Sequence, residues 1–272
     1  MIDKMAGAKY MGKIKIAFFD IDGTLIDSKK KKITKNTKST LLRLQENGIK
    51  ICIATGRSPI EVPDFESEGV KFDAFLTFNG SYCFNDKEEI FHNPLDKEDV
   101  KQILQNAREL GHCVLVATKD RLGANGREEK LVEYFSIVNQ EVRVVPDFEK
   151  MIEEDVYQIM MAGTKKEYKD MVKNTKRAAV TAWWPEAVDI IPLDGGKGNS
   201  VKKILEYYQI EKEEAMAFGD GNNDLEMLNE VGHAVAMGNA SEELKEIADV
   251  VCGDVSEDGI YTYCKEHDYF KN

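Results

Sequence analysis

The sequence has no run of about 18 apolar residues, so a membrane-spanning helix is not expected. Its opening, MIDKMAGAKYMGK, mixes charge and glycine and lacks the apolar stretch of a secretory signal, which makes the cytoplasm the expected location. Cysteine is sparse: Cys52, Cys83, Cys113, Cys252 and Cys264 are odd in number, far apart and contain no C-x-x-C pair. That argues against a disulfide framework and against a zinc ribbon. Four scattered histidines form no H-E-x-x-H and no pair at ligand spacing, which leaves oxygen as the donor for any metal. Positive charge is short as well: 37 Lys+Arg stand against 49 Asp+Glu, and a net charge of −12 argues against nucleic acid as a partner. The lysine run Lys29–Lys32 reads as a solvated loop. With 6 prolines and no low-complexity segment beyond that run, disorder is excluded as the main theme.

What is present is a chain of 272 residues with 42% hydrophobic content. That exceeds the usual domain size of about 100–150 residues, so two cores, or one core with a large insertion, are expected. Lys13–Phe19 is a β-branched and aromatic run ending at Asp20-Ile21-Asp22-Gly23-Thr24, the pattern of a buried strand entering a turn. From Thr34 the period becomes helical, with Leu41 and Leu44 on one face and Gly48 as the stop. Ile49–Ala54 then reads as a second strand ended by Thr55-Gly56-Arg57, and Ala74–Phe78 as a third ended by Asn79-Gly80. Strand, helix and strand in this order predict right-handed βαβ units and a parallel sheet. The texture returns with a helix from Gly198 through Tyr208, a strand Ala215–Phe218, a helix to Val231 and a strand Ala234–Met237.

Between Tyr82 and about Ile190 the texture differs. A hairpin is expected around Asn85-Asp86, then a helix opened by Asp96, with Val100, Ile103, Leu104 and Ala107 on its apolar face and Gly111 as its stop. Strands follow at Cys113–Ala117 and Val156–Ala162, then a helix near Lys165–Arg177 and paired strands ending at Ile190. The predicted organisation is therefore a core from residues 1–82 and 191–272 with an α+β domain inserted at 83–190. Trp183-Trp184 in the insertion invites stacking on a substrate ring, but neighbours in a strand point to opposite faces, so at least one belongs to the core.

In open parallel sheets ligands bind beyond the carboxyl ends of the strands. The residues at those positions are Asp20 and Asp22, Thr55, then Asp220, Asn223 and Asp224, with Lys197 at a helix start able to join them. Carboxylates gathered at one rim repel unless a cation sits among them. An oxygen donor set with few carboxylates suits Mg²⁺ and a substrate phosphate. A lysine and a threonine hydroxyl can then stabilise phosphoryl oxygens during transfer. Two carboxylates spaced i, i+2 divide naturally into a nucleophile and a general acid/base, the parts needed for transfer through an aspartyl-phosphate. Gly195-Gly196-Lys197-Gly198 is not a P-loop, because Gly198 occupies the Ser/Thr position.

Asp20-Ile21-Asp22-Gly23-Thr24-Leu25, Thr55-Gly56-Arg57, Lys197-Gly198 and Gly219-Asp220-Gly221-Asn222-Asn223-Asp224 resemble, in order, the four motifs of the haloacid dehalogenase superfamily. Glu226-Met227-Leu228, Ala236-Met237-Gly238-Asn239-Ala240 and Glu257-Asp258-Gly259-Ile260 resemble its Cof-type branch. The resemblance implies an α/β fold, a Rossmann-like parallel-sheet core with an inserted α+β cap of type IIB. It implies a phosphatase acting on small phosphorylated metabolites such as sugar phosphates. Carried onto this sequence, it implies Asp20 as nucleophile and Asp22 as acid/base, with Asp20, the Asp22 carbonyl and Asp220 holding Mg²⁺. Thr55, the Gly56 amide, Lys197 and Asn223 would bind the phosphoryl group, Asp224 would orient Lys197 or a water on the metal, and Arg57, Asn79 and Gly80 would lie where core, substrate and cap meet. No obligate protein partner is expected. Two alternatives share this inventory, a sugar phosphomutase of the same superfamily and a phospho-accepting switch protein that does not turn over.

Overall fold

Ile16, Ala17, Phe18 and Phe19 are all buried in β1 (Ile16–Phe19), as a central parallel strand requires. The protein is seen in a computed structural model that describes residues 14–27, 29–30, 32–137 and 140–270. Lys13 and Lys31, and the side chains of Trp183 and Trp184, lie outside the described residues, and with them the proposed stacking role. The chain folds as two compact units, one running up to Thr55, over Pro63–Phe91 and from Lys197 on, the other comprising Gly56–Val62 and His92–Gly196.

In the first unit, Thr34 caps α1 (Lys35–Glu46) by accepting the Thr37 amide, and the helix buries Leu41 and Leu44 before Asn47 and a left-handed Gly48 end it. The chain returns as β2 (Lys50–Ala54), parallel to β1, and β3 (Ala74–Thr77), parallel to β2. β4 (Tyr82–Phe84) turns back antiparallel to β3, and β5 (Glu89–His92) closes that edge. The hairpin expected at Asn85-Asp86 thus extends this sheet. Its turn is built by the Asn85 side chain, which accepts the Lys87 and Glu88 amides.

The second unit holds α2 (Lys97–Leu110), β6 (Val114–Thr118), β7 (Leu122–Ala124), α3 (Glu129–Ile137), α4 (Phe148–Met151), β8 (Val156–Ala162), α5 (Tyr168–Met171), β9 (Ala178–Trp184) and β10 (Ala187–Pro192). Its strands form an antiparallel sheet in the order β7-β6-β8-β10-β9. The expected apolar face of α2, with Val100, Ile103 and Ala107, packs on Val114, Val116, Ile159, Met161, Val188 and Ile190. Asp96 and Gly111 cap α2 as the sequence predicts.

The helix predicted near Lys165–Arg177 shrinks to the single turn of α5. Two polar side chains of α2 explain this. Asn106 donates to the Met171 and Lys173 carbonyls, and the Asp99 carboxylate accepts the Lys176 and Arg177 amides, so tertiary bonds take up backbone groups that a helix would have used.

The chain re-enters the first unit with α6 (Lys197–Tyr208), β11 (Ala215–Gly219), α7 (Leu225–Asn229), β12 (His233–Ala236), α8 (Glu242–Ile247), β13 (Val250–Val251) and α9 (Gly259–Glu266). β11 pairs with the free side of β1 in parallel register, completing the order β13-β12-β11-β1-β2-β3-β4-β5. Phe19 and Phe218 face each other across that pairing with stacked rings 5.1 Å apart. The architecture is the expected α/β one, a mostly parallel Rossmann-like sheet with a separate α+β unit inserted in the chain. Strand order reverses at β1, where β2 follows on one side and β11 on the other, so the loops after β1 and β11 open a crevice at the sheet's carboxyl edge. Among the described residues no helix is long and apolar enough to cross a membrane.

Candidate active site

The side chains joined at that crevice belong to the first unit. Asp20 follows β1 directly, held by its amide on the Phe218 carbonyl (3.1 Å). Lys197, the first residue of α6, reaches in so that its Nζ lies 2.6 Å from Asp20 Oδ1 and 2.6 Å from Asp224 Oδ1. All three side chains are buried. Asp224 is fully committed: its second oxygen accepts the backbone amides of Asp220 (3.0 Å) and Gly221 (3.1 Å), which folds the loop after β11 around the carboxylate. Asp220 is fixed by the Thr24 hydroxyl, which donates to its Oδ1 at 2.9 Å. The Asp220 carbonyl accepts the Ser241 amide at 2.9 Å. Gly23 is required here on two counts, since its φ is +86° and a Cβ on it would stand 2.1 Å from Asp220 Oδ2.

Three carboxylates, those of Asp20, Asp220 and Asp224, come close enough for one oxygen of each to lie within 4.8 Å of the others. They face a single ammonium, and the electrostatics record the imbalance. Burial raises the Asp20 carboxyl, Lys197 draws it back and Asp224 raises it again, leaving it at about 7. Burial, then the charges of Asp20 and Asp224, push Asp220 up to about 8. Burial alone would lower the Lys197 ammonium, but the charges and hydrogen bonds of Asp20 and Asp224 hold it above the usual lysine value, so it stays charged. A second positive charge is what the cluster lacks. With Asp224 spent on Lys197 and on two amides, a hard divalent cation is suited by Asp20 and Asp220, together with backbone or solvent oxygen. Asp22 is exposed and is not one of the cluster of three, and its charge also raises the Asp20 carboxyl.

Thr55, buried at the end of β2, is fastened from β3 through its amide on the Leu76 carbonyl (2.8 Å). Its own carbonyl accepts the Asn79 amide at 3.0 Å. Asn79 is buried, and its Oδ1 accepts from Asn223 Nδ2 at 3.1 Å, joining the loops after β3 and β11. Gly56 and Arg57 open the short segment grouped with the second unit, and Arg57 there donates to the Glu61 carbonyl at 2.9 Å. Asp20, Lys197, Asp220 and Asp224 are thus joined directly, and Thr55, Asn79 and Asn223 are linked in a second chain of contacts.

A family model of haloacid dehalogenase-like hydrolases matches residues 17–263, a span that carries these strand-end loops and the lysine at the helix start. The chain belongs to that family. As a haloacid dehalogenase-like hydrolase it is similar to the putative phosphatase YkrA of Bacillus subtilis, at 34% identity over 256 residues covering 93% of this chain and 97% of YkrA. It is 28% identical over 263 residues to the 5-amino-6-(5-phospho-D-ribitylamino)uracil phosphatase YitU of the same organism, covering 91% of this chain and 95% of YitU. Among solved structures, the subclass IIB sugar phosphatase BT4131 superposes with a TM-score of 0.84 at 29% identity, covering 94% of this chain and 100% of that one. The haloacid dehalogenase-like chain is accordingly an enzyme of the phosphatase class.

Two further side chains touch this site. Thr24 lies inside the first motif, and its distance from Asp220 in sequence, 196 residues, gave no hint of the bond between them. Asn239 Nδ2 donates to the Gly23 carbonyl at 2.8 Å and reaches Asp220 Oδ2 at 3.5 Å, while its Oδ1 accepts the Val255 amide at 2.9 Å. Its place in Ala236-Met237-Gly238-Asn239-Ala240 was the only signal available in the sequence.

Proposed function

We propose that this phosphatase is Mg²⁺-dependent and hydrolyses small phosphorylated metabolites, sugar phosphates or close relatives, through an aspartyl-phosphate on Asp20. The observation that carries the reading is the buried Lys197, fixed between Asp20 and Asp224 beside a cluster with surplus negative charge. Asp20, the Asp22 carbonyl and Asp220 would hold Mg²⁺, which when bound supplies the missing positive charge beside the phosphoryl group. An Asp20 carboxylate oxygen forms the new bond to phosphorus while the bond from phosphorus to the ester oxygen breaks. Asp22, exposed on its turn, gives that oxygen its proton. Asp22 then takes a proton from water, whose oxygen attacks the same phosphorus and releases phosphate from Asp20. Lys197, Thr55, the Gly56 amide and Asn223 bind the phosphoryl oxygens, with Arg57 on the substrate side, and Asp224 keeps Lys197 aimed.

The similarity to a sugar phosphatase and to a 5-amino-6-(5-phospho-D-ribitylamino)uracil phosphatase supports a small sugar or ribityl phosphate as substrate, and the location in this reading is the cytoplasm. The second unit, read as the cap, would select among such esters. The test is phosphate release from a panel of small phosphomonoesters, p-nitrophenyl phosphate included, with Mg²⁺, with chelator and with Asp20→Asn. Turnover abolished by both chelator and substitution is expected. Metal-independent release, or release undiminished in Asp20→Asn, overturns the mechanism.

A further inference from the structure

The loop after β3 carries the most unusual backbone near the site. Phe78 (φ 51°), Asn79 (φ 51°) and Gly80 (φ 90°) are left-handed in succession, and all three are buried. Glycine adopts this region freely and asparagine tolerates it, but phenylalanine does so only under constraint. Such strain persists where the surroundings over-determine it, and it concentrates at functional sites. Here the turn is closed by the Ser81 amide on the Phe78 carbonyl (3.1 Å) and seated by the fully buried Phe78 ring.

What the turn delivers is the two functional groups of one residue, Asn79. Its backbone amide holds the carbonyl of Thr55, and its side-chain oxygen holds the amide nitrogen of Asn223. A right-handed or extended residue at position 79 would turn its amide and its side chain elsewhere and lose one of the two grips. The bond to Asn79 Oδ1 uses one of the two N–H bonds of the Asn223 amide, and the other is the donor that can meet a ligand.

We propose that the left-handed turn Phe78–Gly80 is a positioning device for the phosphoryl-binding residues, with Asn79 acting through Asn223 and Thr55 rather than on the substrate. This rests on the phosphatase reading above. Asn79 is a positioning residue in this scheme, and Asn223 is the group that meets the ligand. The strain in the turn is retained because a relaxed loop would leave Asn223 free to rotate its amide, which weakens a donor that must be in place before charge develops.

The test is a double-mutant cycle on the full chain. Asn79→Gly keeps the left-handed conformation available and keeps the backbone amide on Thr55, and it removes the side-chain oxygen that grips Asn223. It should remain folded at the assay temperature, yet lose about tenfold in kcat/KM for p-nitrophenyl phosphate and about tenfold in affinity for orthovanadate, the scale of one lost hydrogen bond. In an Asn223→Ala background the same substitution should change either quantity by less than about twofold, because the residue it acts through is gone. Asn79→Asp, which keeps an acceptor and tolerates the turn, should preserve the roughly tenfold effect of Asn223→Ala, and where the glycine variant does not fold, an Asn223→Ala effect that disappears in the Asn79→Asp background overturns the proposal. Losses that add fully in the double mutant, full activity in Asn79→Gly, or a loss that merely follows a lowered melting temperature overturns the proposal. A wild-type chain that neither releases phosphate from the ester nor binds orthovanadate overturns the phosphatase reading, and the positioning role with it.

Discussion

Lys197 is among the largest fully buried side chains of the molecule, a location lysine tolerates only when its charge is matched. Its two carboxylate partners at 2.6 Å supply that match and divide its roles, since Asp224 is anchored to backbone amides while Asp20 stands at the end of β1. The asymmetry makes stability and activity separable at this residue scale. Lys197→Met leaves Asp20 and Asp224 buried without a counter-charge and is expected to cost about 3–5 kcal/mol of stability along with activity. Asp20→Asn removes one of three crowded carboxylates and leaves Lys197 paired with Asp224. Turnover should vanish while the melting temperature holds or rises. Thermal melts of both variants without divalent metal decide the matter, and an Asp20→Asn protein that melts well below the wild type would show that Asp20 is structural. These residues were legible in the sequence because each sits within a few positions of a strand or helix end, where short-range spacing fixes placement. Asn79 and Asn223 meet across 144 residues, and that contact was not legible.

At the level of elements, β12 and α9 are tied by a buried polar contact away from the site. His233 Nε2 meets the Tyr263 hydroxyl, its Nδ1 lies 4.0 Å from Asp249 Oδ2, and Tyr263 stacks on His267 with ring centroids 4.3 Å apart. Burial pulls His233 down to about 4, with Asp249 opposing that and His267 adding to it. The unfolded chain takes up a proton near pH 6.5 that the folded one refuses until about 4. The unfolded state therefore binds more protons throughout that window, and stability falls as pH falls through it, by something on the order of 3 kcal/mol at its lower end. His233→Gln, which cannot charge, should flatten this part of the melting-temperature profile between pH 6.5 and 4. Parallel profiles for the two proteins would assign the acid sensitivity elsewhere. The sequence predicted a strand close to this one, over Ala234–Met237, from its apolar run, and it predicted α2 with both caps. It failed where long-range contacts overrule local preference. Phe78 was expected to end a strand, and the shortened α5 lost its continuation to Asp99 and Asn106.

For the whole molecule, the informative fact is that each unit closes its own sheet and its own apolar core. The first unit's Ile16–Phe19, Ile51–Ala54 and Met216–Phe218 are buried among one another's strands, and the second unit's α2 packs on its own β6, β8 and β10. The site residues Asp20, Thr55, Lys197, Asp220, Asn223 and Asp224 all belong to the first. The chemistry was legible because it is concentrated in motifs of a few residues. Substrate choice was not, because the second unit's residues are patterned by strand and helix burial and carry no spacing that names a ligand. Replacing His92–Gly196 by a short glycine-rich linker should therefore leave a folded core that binds Mg²⁺ and still releases phosphate from p-nitrophenyl phosphate, since nothing in that chemistry is supplied by the excised segment. Larger phosphate esters should change rank, as the cap role proposed for the second unit requires. Heat of Mg²⁺ binding and a side-by-side substrate panel on the full and shortened chains measure the two parts separately. An unchanged ranking with intact metal binding would place specificity in the loops of the first unit, and a shortened chain unable to bind the metal would mean that the two units do not fold independently.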